Sequence, residues 1–426
     1  MSLRLRHTIW RAGALCTLCL AAPAIAQSDV FTGDGSRSDN DRLTPGIYPT
    51  DPVLANGNWL REPHDPFFDV DWSVALRGSY TKSTSGERFD VRTIPSVTLS
   101  HTGSRSNVSA TGSAEIVQPI NGQIDVSALR LSGSLGYALD SDTTLDAAGR
   151  LSVTRSQAGT PGVASNIEVA PLTISGGGDL GVTRQFGKFN VGLTGSADRT
   201  VYQETTLSDG TRVNNADQDA WALNTGLRVG FQITPIFEVF GRASVGRDVF
   251  DVQSASLGLK PDATTSLLEA GVTGKWNEVL EASASTGVTL RRFDASSLGE
   301  VTAQTYDASL TFRPDPTIQM TAGLSTTVAP PGPSGSGSTR IGYAADGEVA
   351  YTVNSWVALR ALANWSSASY IGSTDTETGY GFGAGGDYKV NAHTALTADY
   401  NFDKSDSSTN GPQEAHQVSV GITVSR

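Results

Sequence analysis

Residues 379–386 read GYGFGAGG, and a glycine-rich stretch can cradle a phosphate when a strand precedes it and a helix follows. Here the glycines fall at every second position, Gly379, Gly381, Gly383 and Gly385, with Tyr380, Phe382 and Ala384 between them. That spacing belongs to a strand with one face lined by glycine, and no helical pattern follows to supply a phosphate site. The five histidines, His7, His64, His101, His393 and His416, are scattered, and no His, Cys or Asp spacing matches a zinc site. Asp375 and Glu377 in TDTE, and Asp34, Asp39 and Asp41 in DGSRSDND, miss the calcium-loop spacing and read as solvated loop charge. A hydrolase would need a serine activated by a neighbouring base, and nothing in the sequence sets one of the many serines beside a histidine. The expectation is a protein that is not an enzyme and calls for no cofactor and no metal.

The chemistry that remains lies in charged side chains at alternate positions of extended stretches. By that alternation Arg77, Arg130, Arg150, Arg228, Arg242 and Arg360 share one face of their strands with Asp146, Glu238, Glu269, Glu281, Asp307, Asp346, Glu348 and Asp399. Two readings are open. The set is a lattice of ion pairs that hydrates and stiffens a wall, or it lines a pore and orients the solutes that pass. Neither sign dominates, although acidic loops would raise cation concentration at a pore mouth.

The elements that would carry these residues are long strands. Trp72, Val74, Leu76 and Tyr80 alternate with Asp71, Ser73, Arg77 and Ser79; Ile318, Met320, Ala322 and Leu324 alternate with Gln319, Thr321, Gly323 and Ser325. About 18 such runs follow Phe68, the length and number expected of tilted strands that cross a membrane as a barrel. Tight turns at TGSRS, DSDT, QFGK, TP, NE, PDP, NS and NA alternate with longer polar connections, STSGER near 85, SQAGTPGVAS near 160, TTLSDGTRVNNAD near 211, APPGPSGSGS near 334, GSTDTETG near 375 and KSDSSTNGPQE near 409. Around the tight turns the chain repeats itself: YALDSDTTLDAAG, FQITPIFEVFG, FRPDPTIQMTAG, YTVNSWVALRA and YKVNAHTALTA each set an aromatic three positions before Asp, Thr or Asn, and WNEVLEASAST is a shortened copy. Their aromatics, Tyr137, Phe231, Phe237, Trp276, Phe312, Tyr351, Trp356 and Tyr388, would form an interfacial belt. A repeat of about 40 residues also fits a propeller blade. A blade packs four short strands into that length, whereas this chain holds two long ones.

The amino terminus, MSLRLRHTIWRAGALCTLCLAAPAIAQ, places Arg4, Arg6 and Arg11 before a short apolar core and Ala24-Ile25-Ala26, the plan of a cleaved secretory signal over 1–26. Its removal takes away both cysteines, Cys16 and Cys19, and leaves 28 basic against 43 acidic residues, a charge of −15. Such an acidic exported chain is a poor nucleic-acid binder. Residues 27–67, rich in Pro and Asp, read as a periplasmic or plug segment, and 68–426 as the barrel. Hydrophobic residues are 38% of the chain, which suits a barrel whose wall meets lipid on one side and water on the other.

With the hairpins TPIFEVF, NEVLEASAS, DPTIQMTAG and NSWVALRAL, the signal and the lead-in, the chain resembles the outer-membrane β-barrel porin family of Gram-negative bacteria over 68–426. The resemblance implies an all-β, antiparallel up-and-down transmembrane barrel of about 18 strands (16 to 18), with short periplasmic turns and longer extracellular loops. It implies a channel for passive diffusion of ions and small hydrophilic solutes in the cell outer membrane. The alternative is a non-conducting structural or surface-docking barrel plugged by residues 27–67. The partners implied are outer-membrane lipid, the solutes, and the barrel-insertion machinery; oligomeric state has no signal in the sequence. Many members end in an aromatic residue, whereas this sequence ends VSVGITVSR. No loop reads as long enough for a large inward constriction, the best candidate being 203–216.

Overall fold

The computed structural model describes residues 68–120, 124–158, 160–333 and 335–426. The signal over 1–26 and the Pro/Asp-rich segment over 27–67 lie outside the described residues. The strands, in chain order, are β1 (Asp69–Ser83), β2 (Gly86–Thr102), β3 (Ser106–Pro119), β4 (Asp125–Ala138), β5 (Thr143–Arg155), β6 (Ile167–Val169) and β7 (Leu172–Phe186). They continue as β8 (Phe189–Tyr202), β9 (Thr205–Leu207), β10 (Arg212–Val213), β11 (Ala220–Thr234), β12 (Phe237–Phe250), β13 (Ala263–Trp276) and β14 (Leu280–Phe293). The last are β15 (Glu300–Asp315), β16 (Ile318–Ala329), β17 (Thr339–Thr352), β18 (Val357–Ile371), β19 (Thr376–Asn391), β20 (Thr394–Ser407) and β21 (Gly411–Ser425). All but β6, β9 and β10 belong to one 18-stranded antiparallel sheet, and the three short ones pair with each other. The barrel closes where β1 pairs with β21, from Ser73 opposite Ser425 to Ser83 opposite Ala415.

Its wall is inside-out by the standards of a water-soluble protein. Leu268, Leu180 and Val420 are 69%, 64% and 61% exposed, while Arg291 and Asp90 are 1% and 2% exposed. Most large apolar side chains point away from the barrel axis and most charged ones within the strands point toward it. This is the arrangement in which a closed ladder satisfies every backbone group and the outer face can meet hydrocarbon. No helix among the described residues is long and apolar enough to cross a membrane; the crossing is made by strands.

The repeated hairpins share one local device. Asp140, Asp315, Asn354 and Asn391 each accept, through Oδ1, the amide of the residue two positions on: Asp142 at 2.8 Å, Thr317 at 2.7 Å, Trp356 at 2.8 Å and His393 at 2.8 Å. A carboxylate or amide placed there closes the turn with its own side chain, which is why the turn residue recurs while its neighbours vary. The shortened copy turns instead through Asn277, whose φ is 53°. The aromatic three residues earlier lies one strand-turn back on the wall: Tyr137, Phe231, Trp276, Tyr351 and Tyr388 are all exposed on the outer face near this rim.

The opposite rim differs in part from the sequence expectation. Long connections span 156–171, 203–219, 251–262 and 330–338. The connections around Ser85 and Thr409 are short, because their polar residues extend the ladder: β1 runs to Ser83 opposite Gly86, and β20 to Ser407 opposite Gly411. Gly86 and Gly411 have φ of 136° and 67°, which lets each chain reverse at once.

Candidate functional site: the inner wall and its mouth

Alternation within each strand places all the charged residues singled out from the sequence on the inner face. Across β11–β15, Arg228 pairs with Glu238 at 2.6 Å and Arg242 with Glu269 at 3.2 Å. The guanidinium of Arg228 also lies 4.1 Å from the ring centre of Phe240, itself an inner-face residue. Asp307 stands next along β15, beside Glu269's neighbour Thr305, whose hydroxyl donates to Glu269 at 3.5 Å. Across β5–β8, Arg150 joins Asp179 and Asp198. Glu281 pairs with Lys275 at 2.8 Å at the short-turn rim.

The tightest group crosses the closure of the barrel. Arg360 on β18 donates to Asp387 on β19 and Asp399 on β20, and Arg77 on β1 reaches Asp399 at 3.6 Å. All four side chains are less than a tenth exposed. Two like charges on each side and a forked guanidinium between two carboxylates make this a lock between five neighbouring strands. The glycines of β19 permit it. A Cβ at Gly385 would collide with Asp399 Oδ1 and one at Gly383 with Asn401 Oδ1, while one at Gly381 would stand 2.6 Å from Asp403 Oδ1. Side chains of β20 therefore lie flat across the glycine face of GYGFGAGG.

Pairing sorts the wall's charges. Arg130 on β4 has no ion-pair or hydrogen-bond partner among the described residues; nor do Asp346 and Glu348 on β17, or Asp403 on β20, while Asp307 on β15 meets the charge of Arg242 only through space. The strand order puts β4 on the wall facing β15–β17.

Above the wall, the long connections interlock over the mouth. Arg88 on β2 donates to the carbonyl of Ala158 at 3.2 Å, and Gln413 on β21 holds Gly162 and Val163, tying 156–171 to the strands around the barrel closure. That same connection pairs through β6 with β9 in 203–219. Asp217 accepts the amide of Ala255 at 2.9 Å, joining 203–219 to 251–262. Pro331, Gly335 and Gly337 line a small cavity with Phe250, Ser254 and Pro261, so 330–338 meets 251–262. Its other flank is held at β18–β19, where Ile371 accepts the amide of Ser338 at 2.8 Å and Asp375 accepts the hydroxyl of Ser336. The expectation was that no loop is long enough for a large inward constriction, 203–216 being the best candidate; in the structure 203–219 is one of four connections that bond to one another. A roof forms because they brace one another.

Charges at this rim are set by the same partners. Asp251 and Asp294 are held below the usual carboxylate range by hydrogen bonds from Arg199 and Arg247 on the outer face. Burial pushes the Asp219 carboxyl upward, although the amide of Tyr202 donates to it at 2.7 Å.

A sequence profile of the family described as "Putative beta-barrel porin 2" matches residues 73–426, nearly the whole barrel. This chain belongs to that family. The porin is therefore an outer-membrane protein, its short-turn rim the periplasmic side and its roofed rim the extracellular one. A comparison with curated protein sequences finds no match. Among solved structures it is similar to the outer membrane protein opdK from Pseudomonas aeruginosa, at 11% identity and a TM-score of 0.43, covering 84% of this chain and 99% of that one. It is also similar to OccAB4 of Acinetobacter baumannii (11%, TM-score 0.41, 84% and 98%) and to a loop L8 deletion mutant of OmpT from Vibrio cholerae (16%, 0.32, 84% and 100%).

The sequence reading missed Asp387 and Asp403, which inner-face alternation along β19 and β20 would have supplied. It also missed Gln413, Ser336 and Asp375 as mouth ties, for which no local signal exists.

Proposed function

We propose that this porin is a channel for passive diffusion of ions and small hydrophilic solutes. The observation that carries the reading is a closed wall of 18 strands whose inner face is charged and hydrogen-bonded. A barrel of that size encloses more space than its side chains fill, whereas eight strands pack shut. Ion pairs along the wall keep the lumen wet. The interlocked connections stand at the outer mouth of this route. The test is single-channel recording of the purified protein in a planar bilayer. Discrete current steps are expected. Silence from the full protein and from a form lacking residues 27–62 would overturn the reading.

A further inference from the structure

We propose that the β16–β17 hairpin is a hinged strap with two seats, one leaning across the mouth and one zipped into the wall; the consequence for flow rests on the channel reading above. The register of β15 with β16 runs from Asp315 opposite Ile318 to Ala308 opposite Leu324 and stops, although β15 continues to Glu300 and β16 to Ala329. On their other sides both strands stay paired, β15 to Arg292 opposite Glu300 and β16 to Ala329 opposite Arg340. The wall is thus split along one seam. At its start a side chain replaces the ladder: the amide of Tyr306 donates to Thr326 Oγ1 at 2.9 Å, and that hydroxyl donates to the Tyr306 carbonyl at 3.0 Å. Beyond it, Gln304 offers its carbonyl to the Tyr343 hydroxyl of β17, a strand further on, at 3.4 Å.

Ile341 shows where the unzipped edge leans, with β17 still paired to β18 from Thr352 opposite Ala358 to Thr339 opposite Ile371. It shares its strand face with Val349 and Tyr351, which are exposed on the outer wall. Yet it packs against Ala263, Phe293 and Val301, inner-face residues no more than 8% exposed. An outer-face residue of β17 can touch the inner faces of β13–β15 only if the hairpin tip passes inside them. That seat carries 330–338 across the mouth.

The second seat is written in the same register. Continued past Ala308 and Leu324, it sets Tyr306 opposite Thr326 and Gln304 opposite Val328, and it ends at Pro330, which has no N–H to give. Zipping satisfies ladder groups along the β15 edge and returns Ile341 to the outer face; leaning packs it on the cluster of Phe293 instead. Each seat supplies what the other gives up, which is the condition for two populated states.

The test joins Gln304→Cys with Val328→Cys. The native cysteines, Cys16 and Cys19, precede the barrel. In the zipped seat the two positions face each other at a Cα spacing that suits a disulfide; in the leaned seat the ladder that would set them face to face is absent. Oxidation is expected to cross-link folded barrels and to hold the pore at its high level with loss of closing events, and reduction to restore them. Phe293→Ala, which removes a ring of the cluster that Ile341 leans on, should lengthen the high level without oxidant. A folded double variant that never cross-links, or a cross-linked one whose closing events are unchanged, overturns the strap. A protein that cross-links and passes no current in either redox state has lost the channel reading, and the cross-link still reports the swing.

Discussion

The amide of Gly162 donates to Gln413 Oε1 at 2.6 Å, and Gln413 Nε2 donates to the carbonyl of Val163 at 3.0 Å, across the mouth from β5 to β21. A single side chain thus makes two of the bonds that hold the connection 156–171 over the lumen. Gln413→Ala should release it, at a local cost of about 1–3 kcal/mol for two hydrogen bonds at a half-buried site. Limited proteolysis of the folded protein should then cut within 156–166 faster than in the parent, with the barrel intact. Equal cutting rates would show that β6 and Arg88 suffice to hold the connection.

Arg360 lies between Asp387 and Asp399 with all three side chains nearly buried. Arg360→Ala would leave two carboxylates with Arg77 alone, and breaking a buried pair in this way costs on the order of 3–5 kcal/mol. Lys82→Ala removes a partner of Glu87 held at 3.9 Å with both side chains more than half exposed, which should cost about 0–1 kcal/mol. Urea unfolding in detergent, followed by tryptophan fluorescence, should separate the two variants clearly. Similar midpoints would mean that water reaches the inner lock.

Much of the fold was legible because a barrel strand states its two faces in every pair of residues. Val74 and Leu76 against Ala75 and Arg77 assign inside and outside without reference to any other strand. The turns were legible for the same reason, since Asp315 or Asn354 closes its own hairpin. What escaped were relations between distant segments. Ile341 carries an outer-face signature, and nothing near it in sequence says that the ladder beside it ends at Leu324. Gln413 and Gly162 each look like ordinary loop-edge residues until the barrel has closed.

The inner charges with no opposite charge in bonding distance, Asp307, Asp346, Glu348 and Asp403 against Arg130 and Arg313, leave the lumen negative where pairing does not cancel it. Fixed negative charge in a narrow aqueous path raises local cation concentration. In a salt gradient the reversal potential should have the sign of cation preference. Combining Asp346→Asn, Glu348→Gln and Asp403→Asn should move it toward zero. A potential unaffected by the three changes would place the selective step in the roof.

Connections 203–219 and 353–356 lie at opposite rims, and the parity of the strands between them requires it. Cysteine at Ser208 should be labelled on intact cells by a reagent that does not cross the outer membrane, and cysteine at Ser355 only after the cells are opened. Labelling of Ser355 on intact cells would invert the orientation assigned to this porin.

Asp375 lies outside the strands, between β18 and β19, and hydrogen bonds from Ser336 first and Ser373 next hold its carboxyl below the usual carboxylate range. A depressed carboxylate contributes its tie above the ordinary carboxylate pKa of about 3.9 and loses it as pH falls through the lower folded value. The bond from Ser336 should therefore hold the 330–338 connection unchanged from neutral pH down to about 4 and weaken only below that. Single-channel closing events should follow the same course, constant over the upper range and altered in acid. Asp375→Asn retains the shape and removes the charge, so it should show the acid pattern at neutral pH. A change in closing that begins near pH 6 in the parent and persists in Asp375→Asn would assign the response to another group, and would detach the Ser336 tie from the control of the mouth.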